Sequence, residues 1–425
     1  MSPTPPAAEP AARGRWAIVA LLAAALFVNY VDRGALPTAG HLIQDDLGIS
    51  TSQLGFLFSA FYWSYALLQI PVGWLADRYG AWRILAAGLT LWACATMLVG
   101  TAHSFTVLFG LRLLLGVGES AGFPCVSKLL ATVMPIGSLG RANGVVAFGY
   151  LFGPAVGAYC GGLLLVSSGW RTMFLVFGAT SLLWLLPWAR LRPPSQVLHV
   201  DSAGSPSLPT LLRQMPVWGT SLGHFSSNYT FYFMLNWLPY YLVSERGFST
   251  AAMAAITGSA YLVNALSAIS AGWIIDRMVR RPGRAALAYK SAMVGCHVGC
   301  VVCMPAIALG SQGLALGAIF AYQILMGMAS PGTFAIAQIL AGPKAAGRWV
   351  GIQNTIANLA GILAPAVAGV LAEYTHHFTA PFILAASISV LGLFGWVWMV
   401  GDIAPLDWSA RTQAATARAA RAPLA

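Results

Sequence analysis

The chain has 425 residues, 58% hydrophobic and 8% charged, with a mean hydropathy of +0.72, which is more apolar content than a soluble core of this length needs. Apolar runs of about 20 residues recur and the period-two alternation of membrane barrel strands is absent, so the fold class is an all-α polytopic membrane protein. The formal net charge of +11 comes from arginines spread loop by loop, which excludes a nucleic-acid-binding face as its source.

In chain order, the Pro/Ala-rich stretch 1–14 is expected to be a cytoplasmic tail, not a signal peptide, because a full-length span follows it. Residues 15–190 form a first bundle with spans at 16–39, 53–76, 84–102, 107–131, 144–166 and 172–188. Residues 191–215, with Pro193, Pro194, Pro206 and Pro209, read as a cytoplasmic linker. A second bundle, 216–400, holds spans at 218–243, 251–275, 288–309, 313–340, 350–372 and 381–400, and 401–425 is a second cytoplasmic tail. Lys and Arg crowd one side of these twelve spans, with only Arg171 and Arg246 on the other. The positive-inside rule then puts both termini in the cytoplasm and the protein in the inner (plasma) membrane, solvated by lipid.

Two acid–base pairs lie within apolar spans, Asp32 with Arg33 in the first and Arg112 with Glu119 in the fourth. Each such side chain costs roughly 2.5–3.5 kcal/mol at mid-bilayer on insertion scales, so all of them are expected to face a protein-lined polar cavity. Arg112 and Glu119 are seven residues apart and share a helix face, whereas Asp32 and Arg33 point about 100° apart and need not pair with each other. Asp32 and Glu119 are the candidate proton-coupling carboxylates. Arg33 and Arg112 either hold them charged or receive a substrate carboxylate through the planar guanidinium fork. A static ion-pair network that orders the first bundle is the competing account.

Neutral groups are expected to complete a substrate site. Tyr30 and Tyr65 can offer hydroxyls, against a packing role for both. Span seven supplies His224, Asn228, Tyr229, Tyr232 and Asn236, although a lone membrane histidine is more often bonded to a neighbouring helix. On span eleven Asn354 and Asn358 are four apart and share a face; Gln338 and Gln353 are open cases. No Asp, Glu, Lys or Arg lies deep in a span of the second bundle, so charge handling falls to the first bundle and hydrogen bonding and shape to the second. Pro331-Gly332 is positioned to break span ten.

The bundles echo each other. Gly73-Trp74-Leu75-Ala76-Asp77-Arg78 after span two recurs as Gly272-Trp273-Ile274-Ile275-Asp276-Arg277 after span eight, and Phe152-Gly153-Pro154-Ala155-Val156-Gly157 weakly matches Leu363-Ala364-Pro365-Ala366-Val367-Ala368. Such a repeat suits a rocking-bundle transporter with its site at the repeat interface. The loops are expected to act as gates, Asp77 held by a helix amide dipole with Arg78 and Arg83 bridging, and Asp276, Arg277 and Arg281 as the counterpart. Topology-setting charge would explain the arginines but not the aspartates.

Gly73–Gly80 and the six-plus-six spans resemble the major facilitator superfamily. Asn29-Tyr30-Val31-Asp32-Arg33, then Arg112-Leu113-Leu114-Leu115-Gly116-Val117-Gly118-Glu119 with Phe123-Pro124, and Tyr232-Phe233-Met234-Leu235-Asn236-Trp237-Leu238-Pro239 are similar to its anion:cation symporter family. The resemblance implies a transporter that imports small organic anions such as sugar acids with protons, and the same roles for Asp32, Arg33, Arg112 and Glu119. Ala35 departs from the family, which often carries an Asn there.

Cys296, Cys300 and Cys303 have the spacing of an iron–sulfur radical enzyme, but they lie in an apolar span without an α/β pattern and read as buried thiols. Gly116, Gly118 and Gly122 read as close-packing positions rather than a dinucleotide loop. The expectation is a monomeric proton-coupled symporter for a small organic anion, with no cofactor, metal, disulfide or enzymatic activity. A drug or metabolite exporter of the same fold would have a cavity poorer in arginine, and a membrane-embedded enzyme would need a catalytic constellation.

Overall fold

A computed structural model describes residues 12–134, 136–191, 206–279 and 285–408, and these contain helices and no strand. The helices are α1 (Ala12–Leu47), α2 (Thr51–Tyr79), α3 (Ala81–Val99), α4 (Phe105–Glu119), α5 (Gly122–Val133), α6 (Ile136–Leu182) and α7 (Leu185–Arg190). They continue as α8 (Leu208–Leu212), α9 (Met215–Ser244), α10 (Thr250–Val279), α11 (Ala285–Leu309), α12 (Gln312–Ala329), α13 (Gly332–Thr375) and α14 (Thr379–Phe394).

Local chemistry sets many of these ends. Ser50 opens α2 with a capping box closed by Gln53, and Ser104 and Ser311 accept from the first-turn amides of α4 and α12. Gly80, at φ 92°, allows the tight passage from α2 to α3. Span four is broken at Ser120-Ala121, immediately after Glu119, and span ten is broken at Ser330-Pro331. α6 and α13 each contain a non-helical glycine, Gly169 and Gly342, where two spans meet. α1 runs on beyond its apolar stretch through Pro37 to Leu47, its polar end tied down by Gln44 to Thr51 and by Asp46 to Arg171.

Among the described residues nine segments are long and apolar enough to cross a membrane. One of them, Arg141–Arg190, holds two helices joined at Gly169, and the more polar α2 and α9 also have membrane length, consistent with twelve spans. Side chains such as Leu67, Leu163, Val302 and Trp398 are exposed, as lipid-facing positions require.

The chain divides into two compact units, residues up to 199 with Leu235–Leu262, and residues 200–234 with those from 263 onward. In the first unit α1 packs most extensively on α6, α2 on α4, and α3 on both α4 and α6. Glycines permit this closeness: a Cβ on Gly157 would stand 2.6 Å from the Val31 carbonyl oxygen, and one on Gly118 would stand 2.7 Å from the Trp92 amide nitrogen. The Leu235–Leu262 segment joins this unit through Trp237, edge-on to Phe58 at 5.2 Å, and Thr250, whose hydroxyl lies 3.4 Å from His41 Nε2.

In the second unit α11 packs on α12 and α14. Gly327 of α12 meets the α10 backbone, and Asn264 of α10 donates to the Gln323 carbonyl at 3.0 Å. The described cysteines are all free thiols, and Cys296, Cys300 and Cys303 are buried among helices, with Cys296 Sγ 3.8 Å from Met326 Sδ.

Candidate functional site

Asp32, Arg33, Arg112 and Glu119 are all buried within the first unit. Successive residues on a helix diverge by about 100°, so α1 sends Asp32 and Arg33 to different neighbours. Arg33 Nε donates to Glu119 Oε2 at 2.8 Å, a charge-assisted bond between α1 and α4. Asp32 turns to α6, with its Oδ2 3.3 Å from Ser181 Oγ. Arg112, on the same face of α4 as Glu119, has its Nε 3.3 Å from the Leu57 carbonyl oxygen of α2.

Aromatic rings hold both guanidiniums. That of Arg33 lies 4.5 Å from the Tyr30 ring centroid, 4.8 Å from that of Phe61 and 4.5 Å from that of Tyr65, and that of Arg112 lies 5.2 Å from the same Phe61 ring centroid. Away from water each such stack stabilises a cation by about 2 kcal/mol or more. Tyr30 is itself fixed by Tyr150 at 5.4 Å and Phe123 at 6.3 Å. The cluster keeps hydrogen-bonding capacity in reserve, since Arg33 Nη2 and Asp32 Oδ1 are buried with no partner in the structure. Such atoms are costly unless a ligand or a proton answers them.

The residues that sequence reasoning placed in spans seven and eleven fall into two groups. Asn236 belongs to the first unit, where it shares a hydrogen bond with Tyr62. His224, Asn228, Tyr232, Asn354 and Asn358 lie in the second unit. There the Tyr232 hydroxyl donates to Asn358 Oδ1 at 3.3 Å, Asn358 Nδ2 to the Asn354 carbonyl at 2.9 Å, and Asn228 Nδ2 to the Ala357 carbonyl at 3.3 Å. His224 Nδ1 is 3.4 Å from Gln353 Nε2, which also donates to the Thr333 carbonyl, and the imidazole meets the Phe334 ring edge-on. Tyr229 is buried and Gln338 is exposed.

Of the loop residues, the side chains of Asp77 and Asp276, and Arg281 as a whole, lie outside the described residues. Arg78 stacks on Trp74 and Tyr79, Arg277 lies 3.6 Å from the Trp273 ring centroid, and Arg83 is exposed. Lys128 of α5 donates to the Ala76 carbonyl at 3.1 Å, tying α5 to the end of α2.

Sequence reasoning did not single out Asn29, Phe61, Tyr62 or Ser181. Asn29 is buried beside Glu119, and its place one turn before Asp32 and Arg33 was an available signal. Phe61 stands four residues before Tyr65 and so shares its helix face. Ser181 offers no such signal, being one serine among many in an apolar span. Among the described residues no group of three or more His, Cys, Asp or Glu side chains is arranged to hold a metal.

A family model described as Major Facilitator Superfamily matches residues 22–365. A probable sulfoacetate transporter of Cupriavidus necator is 29% identical over 398 residues, covering 89% of this chain and 92% of its own. A hexuronate transporter of Bacillus subtilis is 28% identical over 396 residues, covering 88% and 92%. A D-galactonate transporter of Escherichia coli is 26% identical over 426 residues, covering 93% and 98%. Among solved structures, a bacterial homolog of the human lysosomal transporter Spinster, inward-facing and unoccupied, aligns with a TM-score of 0.78 over 91% of this chain and 97% of that one. At 19% identity this last likeness is one of fold.

Proposed function

This chain belongs to the major facilitator superfamily, and is a multi-pass membrane transporter rather than an enzyme; we propose that it is a proton-coupled symporter that imports a small organic anion, a sugar acid or other monocarboxylate, by alternating access. One observation carries this reading: the buried Arg33–Glu119 pair inside its aromatic box, with Arg33 Nη2 and Asp32 Oδ1 left unanswered.

With Asp32 and Glu119 both ionised, the formal charges of the cluster cancel, two carboxylates against two guanidiniums. An incoming carboxylate takes the free edge of Arg33 and competes with Glu119 for it, which leaves the cluster with one net negative charge. In a site closed to water that excess is unfavourable, and binding a proton at Glu119 or Asp32 removes it. Anion and proton then travel together because the anion is disfavoured in the cluster until a proton balances it. Tyr30 and Tyr65 position the guanidinium and offer hydroxyls to the anion. His224, Asn228, Tyr232, Asn354 and Asn358 supply neutral donors and acceptors suited to the hydroxyls of a sugar acid. Asp77, Arg78, Arg83, Asp276, Arg277 and Arg281 serve as the gate loops, on the cytoplasmic face where both termini also lie. The named substrates of the relatives, sulfoacetate, hexuronate and galactonate, are all anions and support the substrate class.

The test is uptake by proteoliposomes with an inward proton gradient, using radiolabelled galactonate, a hexuronate and sulfoacetate as probes. Proton-driven accumulation of at least one probe is expected, with Glu119→Gln abolishing accumulation while counterflow of the same probe survives. Loss of both activities in a folded Glu119→Gln protein would mean that the ion pair is structural and the coupling assignment wrong.

A further inference from the structure

Ser181, on the part of α6 beyond Gly169, is buried with its Oγ 2.8 Å from the Phe177 carbonyl oxygen and 3.3 Å from Asp32 Oδ2. A hydroxyl has one hydrogen to donate and two lone pairs to offer. The bond to Phe177 is the ordinary one from a helical serine to the carbonyl four residues back, and it is the shorter of the two, so it holds the hydrogen. What Ser181 turns toward Asp32 is therefore a lone pair. Two oxygen lone pairs facing each other in a buried site repel, and while Ser181 keeps its bond to Phe177 the contact becomes a bond only when Oδ2 itself carries a hydrogen.

The other surroundings of Asp32 agree. An ionised carboxylate has about four acceptor sites to satisfy, yet Oδ1 has no donor and neighbouring Arg33 is committed to Glu119. Glu119 and Arg112 of α4 are the charged groups that face Asp32. Tyr62 and Tyr65 of α2 lie around Arg33. The cations of α5 and α6 are occupied elsewhere, Lys128 on the Ala76 carbonyl, Arg141 over Trp16 and Arg171 on Asp46, while Tyr150 of α6 stacks on Tyr30.

We propose that Ser181 is a positioning residue that accepts a hydrogen bond from protonated Asp32 and so stabilises the proton-loaded form of the carrier. Releasing the proton leaves Ser181 two choices, to face a carboxylate with a lone pair or to give up its bond to Phe177 and donate. Unloading of Asp32 is thereby linked to a hydrogen bond inside α6. The biological meaning of this switch rests on the proton coupling proposed above, but the protonation of Asp32 can be read without transport.

The experiment is infrared difference spectroscopy of the purified protein during a pH titration, following the C=O stretch of protonated carboxyl groups. A component that disappears in Asp32→Asn is expected. In Ser181→Ala that component should be lost at a pH about 0.5–1 unit lower and absorb at a higher frequency, the effect of removing one hydrogen bond to the acid. Ser181→Cys, which keeps the volume and weakens the acceptor, should move it the same way by less, and Ser181→Thr should restore the wild-type titration. An unchanged or higher titration point in Ser181→Ala, or no Asp32-dependent component in the wild type, overturns the proposal. Uptake of the anion probes is measured on the same preparations. Absent uptake with the infrared shift intact counts against symport and leaves the role of Ser181 standing.

Discussion

The two units bury polar side chains of different kinds. In the first, Asp32, Arg33, Arg112 and Glu119 sit together with rings and amides around them; in the second, the buried polar side chains include His224, Asn264, Gln323, Gln353 and Asn358, paired mostly with one another and with carbonyls. Yet the scaffolds are alike. Ser64 of α2 donates to the Leu113 carbonyl of α4 at 2.7 Å, and Asn264 of α10 donates to the Gln323 carbonyl of α12 at 3.0 Å, so the matching helix pairs are joined by the same kind of bond. α4 and α12 both stop at a break, but α4 delivers Glu119 there and α12 delivers Ala329. One architecture has thus been given charge in one copy and neutral hydrogen bonding in the other.

The comparison breaks most decisively at Arg33. Arg33→Ala leaves Glu119 buried without its partner, a change that typically costs about 3–5 kcal/mol. Proteoliposome uptake should fall at least about 100-fold for losses of that size, with a clear drop in thermal stability. Arg33→Lys should not rescue it, because an ammonium cannot lie flat among Tyr30, Phe61 and Tyr65. Equal uptake by the Lys variant would show that the box needs only positive charge.

Phe61→Ala removes the ring shared by both guanidiniums and should lower the melting temperature through a loss of about 3–5 kcal/mol, the usual range for a buried Phe. Phe61→Leu keeps much of the volume but not the π face, so comparing the two melts and uptake rates separates packing from cation stacking.

In the second unit effects should be smaller and of another type. Tyr232→Phe deletes one neutral hydrogen bond to Asn358, worth about 0.5–1.5 kcal/mol, so apparent affinity for a hydroxylated anion should weaken by roughly threefold to tenfold while proton dependence stays as in the wild type. A shift in proton dependence would mean that the division of labour between the units is wrong. Cys303→Ala should leave uptake nearly unchanged, with a stability loss of about 1 kcal/mol measured by thermal melt.

Much of the fold was readable in advance, because lipid permits few answers. A run of about 20 apolar residues with no charge can only be a span, and lysines and arginines mark its flanks. The four charged residues were readable for the same reason, since lipid cannot host them. Which arginine Glu119 would take was not readable. Arg112, two turns away on its own helix, and Arg33, 86 residues distant, were both available, and the structure gives Glu119 the second. That choice depends on how closely α1, α2, α4 and α6 approach, which Gly116 of α4 against α2 and Gly153 and Gly157 of α6 against α1 allow and side-chain packing then sets. Asn236 is a second case. Span seven is one helix in the chain, but its end past Met234 packs in the first unit, so neighbours in sequence serve different units.

The amino-acid order alone establishes the solvent this protein lives in, the approximate span positions and the residue types that cannot face that solvent, because each follows from transfer free energies that act on residues one at a time. Partnerships are another matter. That Arg33 stacks on three rings, that Glu119 answers it, and that Ser181 meets Asp32 from 149 positions away are consequences of distances between helices. Hydrogen bonds and ion pairs act over a few ångströms, and only the packed bundle brings those atoms within that range.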